Sequence, residues 1–75
     1  MALTSKPFCA NCGTQMIFDD CDFNFKGNKD NYWFCPNCLS TAITRIRYGQ
    51  ILDRVYCNEQ GDRIKYERNA DFKVV

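Results

Sequence analysis

The chain has 75 residues, with ten basic and nine acidic side chains, no histidine and six cysteines. A net charge of +1 excludes the strongly basic character that drives non-specific duplex nucleic-acid binding, and the lack of histidine excludes imidazole catalysis and Cys/His metal sites. A chain this short forms one domain, residues 1–75, whose core is too small to stand without a staple, so the cysteines come first.

Residues 1–7 hold no apolar stretch of the signal-peptide kind, and no later run approaches membrane-spanning length. A reducing, cytoplasmic environment without a membrane partner is therefore expected, where paired cysteines more often bind metal than form disulfides. Cys9 and Cys12, followed by Gly13, form the first Cys-x-x-Cys turn, residues 9–13. Residues 15–18 and 21–25 read as strands, and Cys21, Phe23 and Phe25 alternate onto one face, as core positions do. Asp19, Asp20 and Asp22 are read as a solvated turn between those strands. A magnesium or acid/base role would need a phosphate loop or a nucleophile paired to a base, and neither is present. Residues 26–31 are polar, with Gly and Asn, and predict a turn. Tyr32, Trp33 and Phe34 then lead into the second motif, Cys35-Pro36-Asn37-Cys38-Leu39.

A two-residue gap lets both sulfurs of a tight turn point at one ion, and two such turns complete a tetrahedral Cys₄ shell that suits Zn²⁺. Gly13 fits a turn needing positive φ, and Pro36 presets the entry to the other. The 22 residues between the motifs slightly exceed the usual separation, and a hairpin tip around Gly27 absorbs the excess. One structural zinc on Cys9, Cys12, Cys35 and Cys38 is expected. The same thiolate shell also accepts iron, so a one-iron electron carrier stands as an alternative. A thioredoxin-type motif would need a helix behind it, whereas a β-like run follows Gly13. On Cys9, Cys12, Gly13, Cys35, Pro36 and Cys38 the chain resembles the zinc-ribbon family of rubredoxin-like Cys₄ proteins, over about residues 6–57. The resemblance implies two zinc knuckles, residues 9–13 and 35–39, at one end of a three-stranded antiparallel sheet. It also implies a protein or nucleoprotein partner, in transcription or translation. Leu39 departs from the glycine often found at its position.

Residues 40–48 could be capped as a helix by Ser40, but Thr41, Ile43, Thr44 and Ile46 are β-branched and Gly49 follows early, so a strand is expected. Residues 50–57 and 63–68 predict a hairpin, about 50–68, and residues 69–75 a tail. The class is all-β with little or no helix. A two-residue loop at Gln60-Gly61 sets Arg54 opposite Glu67 and Asp53 opposite Arg68, both favourable pairs. Ile51, Val55, Cys57, Ile64 and Tyr66 would then face the core. Arg54, Tyr56, Arg63 and Lys65 would face an acidic partner, protein or nucleic acid.

Cys21 and Cys57 cannot make a closed shell of their own and are read as small core hydrophobes. The aromatics around the central hairpin are read as core filling, because the acids near Phe23 and Phe25 disfavour phosphate. With no catalytic constellation and no small-molecule substrate expected, the reading is a non-enzymatic zinc-ribbon interaction module. A nucleic-acid-binding ribbon using the basic C-terminal hairpin is the alternative.

Overall fold

The computed structural model describes residues 3, 5–23 and 27–74. Among these residues five strands form one antiparallel sheet in chain order: β1 (Ile17–Phe23), β2 (Lys29–Phe34), β3 (Thr41–Arg47), β4 (Gln50–Cys57) and β5 (Arg63–Arg68). No helix occurs among the described residues, as expected of this composition, so none is long and apolar enough to cross a membrane. The sheet has two strands beyond the three that a zinc-ribbon resemblance implies.

Local chemistry explains the strands and their turns. The β-branched residues Thr41, Ile43, Thr44 and Ile46 settle this stretch as a strand, β3, rather than a helix. Tyr48 and Gly49 both take positive φ, 54° and 73°, between the paired Arg47 and Gln50. That is the twist-matched two-residue turn of a tight hairpin, and Gly49 serves it rather than ending a helix. Asp19, Asp20 and Asp22 do not form a turn between strands: they lie inside β1, and the register slips between Phe18 and Asp20. A β-bulge there lets one strand span what alternation alone divides into two. Residues 29–31 likewise belong to β2 rather than to the preceding turn. Phe25 and Lys26 lie outside the described residues.

The register sorts side chains onto two faces. Trp33, Ala42, Tyr56 and Lys65 stand level across β2 to β5, and Asn31, Thr44, Arg54 and Glu67 form the next row on the same side. This is the core face. Trp33, Ala42 and Tyr56 pack with Met16, Cys9 and Cys35 into the hydrophobic cluster at the cysteine-bearing end. Small Ala42 between two large rings leaves room for both. Thr44 accepts hydrogen bonds from Trp33 Nε1 (3.2 Å) and Arg54 Nε (2.7 Å), which partners those polar groups inside the core, whereas Asn31 Oδ1 in the same row is buried without a hydrogen-bond partner among the described residues.

The register in the body of the hairpin is as expected, with Arg54 opposite Glu67 and Asp53 opposite Arg68, but the two-residue loop at Gln60-Gly61 does not form: a bulge between Tyr56 and Cys57 sets Cys57 opposite Arg63, and residues 58–62 make the connection. Its orientation is reversed. Arg54 and Tyr56 are 1% and 4% exposed, whereas Ile64 and Tyr66 are 43% and 45% exposed. Counting apolar residues within two strands cannot say which side the other three cover. Arg54 buries its long stem and satisfies Nε on Thr44, and Tyr56 donates to Glu67 Oε1 at 2.6 Å. Cys21 is only half-buried and Phe23 is exposed, because β1 is an edge strand with nothing packed outside it among the described residues.

The tail is pinned rather than loose. Asn69 is buried, donates its backbone N–H to the Leu52 carbonyl and its side-chain amide to the Ile51 carbonyl, and Phe72 meets the Tyr48 ring. It adds no strand among the described residues.

Candidate metal centre

Two short loops with the same hydrogen-bonding design bring the four motif cysteines together. In the first, Gly13 N–H donates to the Cys9 carbonyl (2.9 Å) and Cys9 N–H to the Thr14 carbonyl (2.8 Å). In the second, Leu39 N–H donates to the Cys35 carbonyl (3.0 Å) and Cys35 N–H to the Ser40 carbonyl (2.8 Å). The residue closing each loop has positive φ, 79° at Gly13 and 64° at Leu39. The Phe8–Gln15 bridge ties the first loop's ends, and the second loop joins β2 directly to β3.

The sulfurs interleave between loops. Cys9 Sγ lies 3.4 Å from Cys38 Sγ, Cys12 Sγ lies 3.5 Å from Cys35 Sγ, and all four lie within 4.8 Å of one another. These separations far exceed a disulfide bond and bracket the ~3.8 Å sulfur–sulfur edge of a tetrahedron built on ~2.3 Å zinc–sulfur bonds. The donor set can therefore hold one metal ion. Cys21 and Cys57 stand outside this cluster.

The surroundings favour the thiolate at Cys12 and Cys38 and resist it at Cys35. Cys12 is held low, at about 5, first by the Thr14 hydroxyl 3.3 Å away and then by the Asn37 side chain. Cys38 is held below the ordinary thiol value, chiefly by the Ser40 hydroxyl 3.2 Å from its sulfur. Asn11 N–H points at Cys9 Sγ at 3.3 Å. Cys35 is fully buried, and burial pushes its thiol up to about 11. A cation supplies the charge that a cluster of thiolates around buried Cys35 lacks, and binding one must expel protons. Thr14 and Ser40 are site residues that ligand spacing does not reveal, yet the sequence carries a signal for them: a hydroxyl residue stands two positions after each motif's second cysteine.

The expected partner-contact residues fare differently. Arg63 and Lys65 are exposed on β5, Lys65 lying over the Tyr56 ring, but Arg54 and Tyr56 are interior and cannot meet a partner. On the opposite face Asp53 is completely buried. Burial works against its charge, but hydrogen bonds from Arg45 and from the Tyr66 hydroxyl (2.8 Å) outweigh that and hold its carboxyl below the usual range. No protein family, curated protein or solved structure matches the chain, so the reading of the centre rests on its own geometry.

Proposed function

We propose that this protein is a non-enzymatic, zinc-stapled β-module that presents its metal-bearing end to a protein or nucleoprotein partner. Zinc is the favoured ion because a closed shell of four thiolates with no open position is the signature of a structural zinc site. The observation that carries the partner reading is Leu39. It adopts φ of 64°, a backbone state that costs an L-residue about 1 kcal/mol or more and glycine nothing, yet its side chain is 58% exposed. Packing within the chain does not repay that strain. Phe8, in the other loop, is 56% exposed. An exposed large apolar side chain beside each cysteine loop supports the reading of this end as a docking surface. The nucleic-acid reading is weaker than the sequence suggested, since two of its four hairpin residues are interior.

The test compares zinc-loaded wild type, Leu39→Gly and Phe8→Ser as affinity baits, with and without nuclease. Leu39→Gly relieves strain and should keep metal content and melting temperature. A partner held by wild type and lost by both variants supports the reading, and its loss on nuclease treatment marks it as nucleoprotein. A partner retained equally by all three baits would refute it.

A further inference from the structure

The sheet face opposite the core is patterned like an interior, and no described segment covers it. Tyr32, Ile43, Val55 and Tyr66 stand level across β2 to β5, with Ile17 and Phe34 paired in the next row. Ile43 and Val55, on the central strands, are only half-buried, and Ile17 and Tyr66 are 47% and 45% exposed. Charge is distributed unevenly around this stripe. On this face edge strand β1 presents Asp20 and Asp22 and no base, whereas the opposite edge strand β5 presents Arg63 and Arg68, its Lys65 and Glu67 lying on the core face. By register, Asp20 and Asp22 share the uncovered face with Tyr32, and Arg68 shares it with Tyr66.

We propose that this face binds a second copy of the chain, sheet against sheet, about a twofold axis parallel to β3. Such an axis keeps the rows level and reverses strand order, so β1 of one copy lies over β5 of the other. Asp22 then faces Arg68 of the second copy, Asp20 faces Tyr66, Tyr32 faces Val55, and Ile43 meets its own equivalent at the axis. Arg45 also meets its equivalent and Asp30 meets Asp53, but each of these charges is already paired within its own chain, Asp53 with Arg45 and Asp30 with Arg47. A twofold axis across the strands would instead lay acidic β1 on acidic β1 and basic β5 on basic β5. The acid-to-base gradient is self-complementary only in the first arrangement, and the resulting sandwich has the ~10 Å spacing of ordinary sheet packing.

The experiment is sedimentation equilibrium on zinc-loaded protein from 1 to 200 µM (on the order of ordinary homodimer constants). Wild type should dimerise. Ile43→Lys should abolish dimerisation while keeping the metal, and Ile43→Thr, a milder change, carries the same arm if the lysine variant does not fold. Asp22→Lys and Arg68→Glu should each weaken the dimer roughly tenfold, because each repulsion occurs twice per dimer. The double variant restores both pairs with signs exchanged and should recover most of that loss. A monomeric wild type overturns the proposal. So does a dimer indifferent to either Ile43 variant, which would mark edge-to-edge pairing of β1 with β5. A double variant no tighter than the singles overturns it as well.

Discussion

Replacing Asp53 by asparagine tests whether the ion pair on the uncovered face holds the sheet together. Asp53 has no exposed surface, accepts two hydrogen bonds from Arg45 and one from Tyr66, and stands opposite Arg68. The asparagine side chain is nearly isosteric with aspartate, so no cavity opens. The charge is lost, however, and an N–H₂ donor must face either the guanidinium or the phenol. Breaking a buried ion pair costs about 3–5 kcal/mol when the stranded partner is also buried. The Arg45 side chain is 42% exposed and recovers water, so the smaller figure of about 2 kcal/mol applies here. For a domain of this size that is a fall of roughly 10 °C in Tm at neutral pH. The pH dependence has a defined sign. The folded carboxyl titrates below its unfolded value, so its contribution is complete above about pH 4 and is lost as pH falls through the folded pKa. Between about pH 5 and 8 the gap between wild type and variant should be constant. Thermal or urea unfolding of metal-loaded protein measures it, and a double-mutant cycle with Arg45→Gln should give a coupling of about 1 kcal/mol or more. An Asp53→Asn variant within about 0.5 kcal/mol of wild type, or a coupling near zero, would refute the reasoning.

Chelation, or Cys35→Ser, should abolish the cooperative thermal transition, because structural zinc contributes about 10–16 kcal/mol and so small a core has less than that to spare. A chelated chain that still melts cooperatively would rule out a structural metal. Cys21→Ala and Cys57→Ala should leave metal content at one ion per chain and cost about 1 kcal/mol or less each, since both side chains are half-buried. A drop in metal content in either variant would make that cysteine a ligand. Leu39→Gly should keep or slightly raise Tm through relief of the positive φ, and a fall beyond roughly 4 °C would show that the side chain is structural after all.

What the sequence determined by itself is local. Two Cys-x-x-Cys turns dictate a four-sulfur site because ligand spacing in a tight turn is short-range geometry, and Gly13 marks the conformation that one of them needs. β-Branched residues from Thr41 to Ile46 decide strand over helix, and cross-strand charge pairing sets Arg54 opposite Glu67. The tertiary structure decided what depends on distant segments. The bulge near Asp19 merges two apparent strands into β1, an event that alternation cannot register. Which side of β4 and β5 becomes interior is settled by Trp33, Ala42 and the cysteine loops, all remote in sequence from the hairpin. Arg54 is buried because Thr44, across the sheet, accepts from its guanidinium. A period of two identifies two faces, and only the partners brought from elsewhere in the chain determine which face water leaves.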